Sequence, residues 1–466
     1  MSQYRPLSAV VLAAGEGTRM RSGTPKVLHP LCGRPMVLHV VDALAELPLE
    51  RIVVVVGHAA ERVTKTLQDQ LVTEVPVEFV EQRVQRGTGD AVSVALTLFD
   101  DLDAEDDILV LPGDAPLVRA ETIARLATEH RLQDAAAAVL TAVVPEPFGL
   151  GRILRNKDGR VERIVEETDA TDEEREIDEI CTSIYCFRRG LLAPTLRRLS
   201  PENAQGEYYL TDAIGVLRDA GHKIIAMQAD DAGEAIMVND RAQLSDAEAE
   251  LRTRINRIWM LAGVTMVDPA RTYIDATVEL EPDVRVLPGT MLEGRTVIGT
   301  GSVIGPDTRL TDVVVGEGTK ISNTTAKECE IGNDCEVGPF AYLRPGTRLA
   351  DGVKVGTYVE VKNSEIGEGT KVPHLSYVGD ADIGAGTNLG ASTITANYDG
   401  VSKHRTKIGD GVHTGIHTSL VAPVEVGDGA ETGAGSVVTH DVEKGRHVRG
   451  VPARDARAAH ESGDTD

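Results

Sequence analysis

The sequence IGNDCEVGPFAYLRPGTRLADGVKVGTYVEV, from Ile331 to Val361, decides the fold of the second half of the chain. An aliphatic residue recurs in it at every sixth position. A helix needs apolar spacings of three and four and a half-buried strand needs a spacing of two, so a spacing of six fits neither. It is typical of a hexapeptide-repeat β-helix. The ladder comprises Ile331, Val337, Leu343, Leu349, Val355, Val361, and, after slips of phase, Ile366, Val372, Val378, Ile383, Leu389, Thr395, Ile408, Thr414, Leu420, Val426, Thr432 and Val438.

Two basic residues follow equivalent positions of this ladder. Arg344 and Lys362 are eighteen residues apart, so a coil of three hexapeptides would stack them at the spacing of neighbouring strands, about 4.8 Å. Stacked like charges repel, and the column therefore favours a bound anion. Glu360 is the alternative partner within the chain.

Length and charge narrow the class of protein. A chain of 466 residues is long enough for at least two domains. A formal net charge of -25 argues against nucleic acid as a partner, because phosphate backbones are held by clustered Lys and Arg. No window approaches the roughly 20 apolar residues of a transmembrane helix, and Met1–Pro6 does not begin a signal peptide. We expect a cytoplasmic protein with no membrane insertion.

The five cysteines predict no disulfide framework in a chain of this length. Cys329 and Cys335 raise the possibility of a metal site. Their spacing of six instead assigns them to equivalent positions on adjacent sides of a coil, where we expect them to pack as small buried residues.

The first half predicts an α/β sheet. Apolar runs at Ile52–Val56, Val77–Val80 and Ile108–Leu111 alternate with helical stretches such as Met36–Leu47 and Ala91–Leu98. Ligands of such sheets bind beyond the carboxyl ends of the strands.

The first apolar run, Ala9–Ala13, leads into a glycine-rich turn. The turn carries GEGTRM from Gly15 to Met20, followed by Pro25-Lys26. A phosphate-binding turn is one interpretation and an ordinary βα loop is the other. The segment lacks the Gly-Lys-Ser/Thr ending of a P-loop and the third glycine of a dinucleotide fingerprint.

The whole string from Leu12 to Met20, together with Pro25-Lys26, resembles the signature of sugar-1-phosphate nucleotidylyltransferases. The resemblance implies a Rossmann-like domain in which Arg19 and Lys26 hold the triphosphate and stabilise the leaving pyrophosphate. The residues that it implies for UTP and the UDP-sugar are Leu12, Ala13, Gly15, Lys26, Gln85, Gly87, Thr88, Gly151, Glu166, Cys181 and Asn239.

The same family binds a metal ion through the aspartate of a Gly-Asp-x-Pro-Leu motif, which stands here as Gly113 to Leu117. The resemblance implies Mg²⁺ on Asp114, shared with the amide oxygen of Asn239. The alternatives are a turn or cap role for Asp114 and a helix cap for Asn239.

Two further segments of this half correspond to ligand-binding segments of the family. Gln85 and Thr88 lie in the motif with which the family recognises uracil, and a cap of the following helix is the alternative for Thr88. Further on, the family has a Glu-x-Asn-x-Gly/Ala segment where this chain has Glu179 to Ser183, with Cys181 replacing the asparagine. A thiol cannot replace both halves of an amide.

In the second half, four segments resemble the acetyltransferase half of the bifunctional N-acetylglucosamine-1-phosphate uridyltransferases and glucosamine-1-phosphate acetyltransferases. They are LRPG from Leu343, VEVKN from Val359, HLSYVGD from His374 and NYDG from Asn397. The resemblance covers nearly the whole chain, and a surface histidine is the alternative for His374. It implies the following set: His374 as general base; Arg344 and Lys362 on the sugar phosphate; Tyr377, Asn388 and Asn397 around glucosamine; and Asn397, Tyr398, Lys403, Ile416 and Ala434 for acetyl-CoA.

A departure at position 416 predicts a slow acetyltransferase site. The family has a serine there that acts near the reacting amine, and this chain has Ile416 within Gly415-Ile416-His417-Thr418. The interval from Ala396 to Arg405 interrupts the six-residue ladder, which predicts a protruding loop.

We therefore predict four parts: a uridyltransferase domain at 1–239, a linker helix at 240–262, a parallel β-helix at 263–452 and a disordered tail at 453–466. The resemblance implies that the β-helix is left-handed. The predicted enzyme acetylates glucosamine-1-phosphate with acetyl-CoA and then transfers UMP from UTP, with Mg²⁺, to N-acetylglucosamine-1-phosphate. Its family implies a homotrimer formed through the β-helix. The alternatives are a nucleotidyltransferase with a regulatory or assembly solenoid, and a trimeric scaffold with decayed sites.

Overall fold

The computed structural model describes residues 5–99 and 105–450. The chain divides into two compact units, Met1–Leu251 and Arg252–Asp466. The predicted tail at 453–466 lies outside the described residues.

The first unit alternates strands and helices. Its elements in chain order are β1 Leu7–Ala13, β2 Pro30–Leu31, β3 Arg34–Pro35, α1 Met36–Ala45, β4 Ile52–Val56, α2 Ala60–Gln70, β5 Val77–Glu81, α3 Thr88–Ala95, β6 Asp107–Pro112, α4 Ala120–Leu132, β7 Ala137–Val143, β8 Arg152–Arg155, β9 Val161–Val165, α5 Asp172–Arg175, β10 Glu179–Arg188, α6 Arg189–Leu196, α7 Asp212–Asp219 and β11 Ile224–Gln228, followed by α8 Arg241–Leu261. Short 3₁₀ turns lie at Thr18–Met20, Lys26–Leu28, Leu96–Leu98 and Ala232–Ala235.

Nine of these strands form one sheet in the order β11-β7-β10-β6-β1-β4-β5, in which β8 pairs with β10 and β9 pairs with β8. Strands β2 and β3 form a separate two-stranded sheet. The neighbours along this order are parallel except for β10, which is antiparallel to β6 and β7. Side chains of β1 alternate between two apolar clusters, with Val11 in one and Val10 in the other. The sheet is thus covered on both faces, as a mainly parallel sheet requires. The α/β prediction is confirmed, with strand β4 at its predicted bounds.

Helix α8 begins and ends within one residue of the predicted linker helix. The Asp240 carboxylate accepts hydrogen bonds from the backbone N–H groups of Ala242 and Gln243, both at 2.9 Å. Asp240 is therefore the helix cap, and the alternative that assigned the cap to Asn239 is wrong. The division between the two units falls within α8, after Leu251.

The second unit consists of short strands in parallel register. They are β12 Thr265–Met266, β13 Tyr273–Ile274, β14 Glu279–Leu280, β15 Arg285–Val286, β16 Met291–Glu293, β17 Val297–Ile298, β18 Val303–Ile304, β19 Arg309–Val315, β20 Lys320–Ile321, β21 Thr325–Ile331, β22 Glu336–Val337, β23 Tyr342–Leu343, β24 Arg348–Leu349, β25 Lys354–Thr357, β26 Glu360–Lys362, β27 Glu365–Ile366, β28 Lys371–His374, β29 Tyr377–Gly379, β30 Ala381–Ile383, β31 Ile394–Ala396, β32 Thr406–Ile408, β33 Ser419–Val421, β34 Val424–Val426, β35 Glu431–Thr432, β36 Val437–Val438 and β37 His447–Val448. Seven of them form one sheet, seventeen a second and two a third.

The register explains the six-residue ladder. Leu343 pairs with Val361, eighteen residues on, and every residue of the predicted ladder is buried. The slips of phase come from coils of unequal length: Val361 pairs with Val378, and Thr395 pairs with Leu420 across the longer interval that holds the predicted loop. The β-helix prediction is confirmed.

The cysteines behave as small buried residues. None of the five forms a disulfide and all are buried, Cys329 and Cys335 among them. Burial raises the pKa of Cys329 to about 12. Within residues 5–99 and 105–450, no three His, Cys, Asp or Glu side chains are grouped as a metal site would need. Over the same residues, no helix has both the length and the apolar character that crossing a membrane requires.

Candidate active sites

The glycine-rich turn and the Gly-Asp motif meet at the carboxyl-terminal edge of the first sheet, where strands β1 and β6 end. Strand β1 lies between β4 and β6, and Leu12 is in register with Pro112 of β6. The backbone N–H of Gly113 donates to the Leu12 carbonyl at 2.8 Å. Asp114 therefore lies beside the turn that follows β1. A cavity of about 710 Å³ opens at this edge.

Two side-chain oxygens, of Asp114 and Asn239, and two cationic side chains, of Arg19 and Lys26, converge at one end of the cavity. The Lys26 ammonium forms an ion pair with Asp114 and donates to Asn239 Oδ1 at 2.9 Å. The Arg19 guanidinium donates to the same Oδ1 at 2.9 Å. This end of the cavity is suited to phosphate and to a hard cation, because Asp114 and Asn239 present carboxylate and amide oxygens to one positive group.

Neither capping alternative accounts for Asp114 or Thr88. The next helix after Asp114 begins only at Ala120, so the carboxylate is free for the Lys26 pair. Helix α3 begins at Thr88 with Gly87 at its cap position and no side-chain cap. The Thr88 hydroxyl instead accepts a hydrogen bond from the backbone N–H of Leu210 at 3.0 Å.

A buried amide supports the glycine turn before α3. Gln82 donates to the Gly87 carbonyl at 3.2 Å and to the Asp90 carboxylate at 2.8 Å. Gln85 is exposed on the cavity wall and donates weakly to the Gln82 carbonyl at 3.4 Å. Gly87 has a φ of 105°, a conformation that strongly favours glycine. Leu12, Ala13, Gly15 and Thr88 also line this cavity.

Another part of the cavity is lined by carboxyl and hydroxyl groups and has no basic side chain among the described residues. Glu166 accepts a hydrogen bond from the Thr211 hydroxyl at 2.9 Å, and burial raises the pKa of Glu166. Gly151 lies beside the Glu166 carboxylate: a Cβ at Gly151 would lie 3.5 Å from Glu166 Oε2. Ser183 and Tyr185 complete this wall. Hydroxyl and carboxyl groups of this kind are suited to the hydroxyl groups of a sugar.

Cys181, the predicted contact, does not line the cavity. Its side chain is buried behind the wall, with Sγ 3.2 Å from the Tyr185 hydroxyl. Burial raises the pKa of Cys181 to about 12, so the thiol is neutral at physiological pH. It acts as a packing and hydrogen-bonding partner of Tyr185.

In the β-helix, the stacked cations follow the predicted register. The Arg344 backbone N–H donates to the Val361 carbonyl at 2.8 Å, which stacks Arg344 over Lys362. The Arg344 guanidinium pairs with Glu360 at 2.8 Å, as the alternative interpretation expected. This single contact leaves other N–H groups of the guanidinium available, because Arg carries five donors.

A third cation joins this column from the loop between β31 and β32. The nearby Lys362 lowers the pKa of Lys403 through hydrogen bonding and charge repulsion. Asp380 lies beside them. Burial raises the pKa of Asp380, but hydrogen bonds from Asn363 and Asn397 and the two lysine charges lower it overall. The surplus of positive charge is suited to a phosphate.

Tyr377 and Asn397 lie beside the cluster of Lys362, Lys403 and Asp380. The Asn397 amide N–H donates to Asp380 and lies 3.5 Å from the Tyr377 hydroxyl. A Cβ at Gly379 would be 2.3 Å from that hydroxyl, so the position of the Tyr377 ring requires glycine there. The orientation of the Asn397 amide leaves its oxygen free to accept a hydrogen bond from a ligand amine.

His374 ends strand β28, three residues before Tyr377. Its side chain is exposed. His374 begins a second column, which backbone hydrogen bonds between coils define. The N–H of Ser392 donates to the His374 carbonyl at 3.1 Å, that of His417 to the Ala391 carbonyl at 2.8 Å, and that of Gly435 to the Ile416 carbonyl at 2.8 Å. His374, Ala391, Ile416 and Ala434 therefore occupy successive coils at one corner of the β-helix. The coils place Ile416 two strand spacings from His374, about 10 Å.

Asn388 lies elsewhere on the same chain. It pairs with Lys371 and His413, one position before the ladder residue Leu389, whereas His374 lies two positions after the ladder residue Val372. Tyr398 is exposed in the loop, where its hydroxyl donates to the Gly400 carbonyl at 2.7 Å. One chain thus brings together Arg344, Lys362, Tyr377, Asn397 and Lys403, with His374 at the adjoining corner and Asn388 apart.

Comparisons with known proteins agree with these two sites. Residues 9–210 match the MobA-like NTP transferase domain, and residues 328–363 match the bacterial transferase hexapeptide of six repeats. The bifunctional protein GlmU of Brevibacillus brevis is 49% identical over 94% of this chain and 93% of its own length. Those of Streptomyces avermitilis and Mycobacterium bovis are each 50% identical, over 96% and 94% of this chain and 92% and 88% of their own lengths.

The chain belongs to the GlmU family. It is a bifunctional transferase of UDP-N-acetylglucosamine synthesis that carries a uridyltransferase and an acetyltransferase. Most residues that line the first cavity lie within the NTP transferase match, with Thr211 and Met237 beyond it. Arg344 and Lys362 both lie within the hexapeptide match.

Three residues of these candidate sites were missed in the sequence. Gln82 directly follows β5, and this position after a strand was a usable signal. Ser183 and Thr211 gave no such signal, because their orientation depends on the path of β10 and on the partner Glu166.

Proposed function

We propose that the first cavity transfers UMP from UTP to N-acetylglucosamine-1-phosphate. In this proposal Arg19 and Lys26 bind the triphosphate, Gln85 with the Gly87-Thr88 turn binds the base, and the wall at Gly151 and Glu166 binds the sugar. A phosphate oxygen of the sugar phosphate attacks the α-phosphorus of UTP, and the bond to pyrophosphate breaks. Arg19 and Lys26 stabilise the charge that develops on the leaving group. The carrying observation is the convergence of Lys26, Asp114 and Asn239.

The oxygens of Asp114 and Asn239 fit a magnesium ion. Both reach one cationic group, the Lys26 ammonium, and carboxylate and amide oxygens are ligands that Mg²⁺ accepts together with substrate phosphates. When bound, the ion neutralises charge on the phosphates. Lys26 is then free to contact phosphate oxygens instead of Asp114.

For the β-helix we propose acetyl transfer from acetyl-CoA to glucosamine-1-phosphate. Arg344 and Lys362 bind the phosphate, and Tyr377 and Asn397 position the sugar. His374 accepts a proton from the amine as the nitrogen bonds to the acetyl carbon; the carbon–sulfur bond then breaks and the coenzyme A thiolate receives a proton. Asn397, Tyr398, Lys403, Ile416 and Ala434 bind the acetyl donor. The product of this step is the acceptor of the uridyl transfer.

We also propose that the acetyltransferase site is completed in a homotrimer formed through the β-helix. The supporting observation is that Asn388 lies apart from Tyr377 on one chain, so a residue set that includes both requires a neighbouring copy. Sedimentation equilibrium of the full chain, with acetyl transfer measured across the same concentrations, tests this point. A fully active monomer contradicts it.

The two activities are tested separately on the full chain. Release of the coenzyme A thiol from acetyl-CoA should require glucosamine-1-phosphate, and release of pyrophosphate from UTP should require N-acetylglucosamine-1-phosphate and Mg²⁺. Pyrophosphate release without acceptor-dependent thiol release would favour a nucleotidyltransferase with a non-catalytic solenoid. Absence of both would favour the scaffold.

A further inference from the structure

Strand β10 contains an irregularity at the wall of the nucleotide cavity. Cys181 is in register with Thr141 of β7, and Tyr185 is in register with Val139, so three residues of β10 face one residue of β7. The Thr182 hydroxyl donates to the carbonyl of that residue, Leu140, at 2.8 Å. The bulge turns Ser183 out of the regular alternation of the strand.

The backbone of Ser183 is left-handed, with a φ of 57°. Residues other than glycine adopt this conformation at a cost in free energy, because the Cβ crowds the neighbouring carbonyl. Glycine adopts it freely. Such strain is retained mainly where function requires it.

The bulge gives Ser183 and Cys181 opposite surroundings. Ser183 is half-buried and lines the cavity together with Glu166 and Thr211. Cys181 is 2% exposed, and its Sγ accepts the backbone N–H of Ser183 at 3.4 Å. Cys181 is thus withdrawn from the cavity, and Ser183, two residues later, lines it with its side chain beside that of Tyr185.

We propose that Ser183 is a specificity-determining residue for the sugar of the acceptor, and that its hydroxyl contacts a hydroxyl or amide group of the hexosamine. This inference rests on the proposed uridyltransferase function. The hydroxyl both donates and accepts, as a sugar hydroxyl requires, and it lies on the wall with Glu166 rather than among Arg19, Lys26 and Asn239. The strained serine is therefore retained for sugar binding at the expense of stability.

Two variants separate the hydroxyl from the backbone strain. Ser183→Ala removes the hydroxyl and keeps the Cβ, whereas Ser183→Gly removes both. We expect each to raise the KM for N-acetylglucosamine-1-phosphate about three- to tenfold, which is the loss of one hydrogen bond, with the KM for UTP unchanged. Ser183→Gly should also raise the melting temperature by roughly 2–4 °C, because the left-handed strain is relieved.

The matched control is Ala59→Gly. Ala59 is an exposed left-handed residue of the same unit, with a φ of 53°, and its change to glycine should leave both KM values unaltered. An unchanged acceptor KM in both serine variants overturns the inference, as does an equal rise in the KM for UTP. If Ser183→Ala fails to fold, Ser183→Gly carries the kinetic test. If the wild-type enzyme lacks uridyl transfer, the proposed function fails and the role of Ser183 falls with it.

Discussion

The Lys26 ammonium donates a hydrogen bond of 2.9 Å to the amide oxygen of Asn239, a residue 213 positions away in the sequence. The same ammonium pairs with Asp114. A lysine therefore occupies the position between two oxygen ligands that a metal ion would share. Electrostatic attraction explains the position of Lys26 and would also favour the proposed metal ion, because the two oxygens create a negative potential that a small cation relieves. A bound metal and Lys26 then compete for Asp114.

Replacement of Asp114 tests this arrangement. Asp114→Asn keeps the shape and removes the charge, and we expect uridyl transfer to fall about 10²- to 10³-fold, the usual effect of removing one electrostatic contact to a reacting group. The Mg²⁺ concentration needed for half-maximal activity should rise. Pyrophosphate release at several Mg²⁺ concentrations measures both effects.

The control is the second reaction of the same chain. Acetyl transfer by Asp114→Asn should remain at the wild-type rate, because the acetyltransferase residues belong to the second unit. Full uridyl transfer with an unaltered Mg²⁺ requirement would remove Asp114 from the metal site.

His374→Ala tests the general base. Loss of a positioned base typically lowers a rate about 10²- to 10⁴-fold, so acetyl transfer should fall by that factor under single-turnover conditions. Uridyl transfer should be unchanged. His440 is an exposed histidine on a later coil, and His440→Ala serves as the matched control with normal acetyl transfer. A tenfold or smaller effect of His374→Ala would assign the proton to another group.

A buried histidine of the first unit predicts a loss of stability in acid. His130 of α4 is fully buried, 3.7 Å from Asp107 of β6, and neither ring nitrogen has a hydrogen-bond partner in the described structure. Burial lowers the pKa of His130 to about 4, against the opposing charge of Asp107 and aided by Arg5 and Arg188. The imidazole is therefore neutral at pH 7.

The sign of the effect follows from proton uptake. The unfolded chain protonates this histidine near pH 6.5, while the folded chain does so only near pH 4, so acid favours unfolding between these values. The expected loss from this residue is about 3 kcal/mol between pH 6.5 and pH 4. Urea unfolding of the wild type and of His130→Leu at several pH values measures this loss. The free energy of unfolding of the wild type should fall relative to that of His130→Leu as the pH falls from 6.5 to 4. His222→Gln, at an exposed position, should follow the wild type. Parallel pH curves for His130→Leu and the wild type would contradict the prediction.

The β-helix could be predicted from the sequence because its signal is local. A buried residue at every sixth position follows directly from the geometry of short parallel strands, so the ladder from Ile331 to Val438 was available without tertiary information. Strand β4 was likewise predictable, because it is buried on both faces and its sequence is an uninterrupted aliphatic run.

The details of the sites were less predictable because they depend on competition between neighbours. Asn239 and Asp240 are both good helix caps, and the first turn of α8 decides for Asp240. Gln82 and Gln85 both follow β5, and only the packing around Gly87 buries the first. The withdrawal of Cys181 depends on the pairing of β10 with β7. Each choice is made by contacts between segments that are distant in the sequence.

The last prediction concerns Ile416. Its side chain is 51% exposed, and it lies on the column of His374, about 10 Å away at two strand spacings. That separation is too long for direct contact with an amine at His374, so we expect position 416 to act on the acetyl donor. A serine there would supply a hydrogen-bonding group where the isoleucine supplies apolar bulk.

We expect Ile416→Ser to raise kcat/KM for acetyl-CoA about five- to tenfold, which is the value of one added hydrogen bond. The KM for glucosamine-1-phosphate and the rate of uridyl transfer should not change. Ile416→Ala is the matched control, because it removes the bulk without adding a hydroxyl. Because the side chain is exposed, the free energy of unfolding of both variants should lie within about 0.5 kcal/mol of the wild-type value. An equal gain in the alanine variant would attribute the effect to steric relief, and an unchanged or lower kcat/KM in the serine variant would show that the donor site is built around the isoleucine.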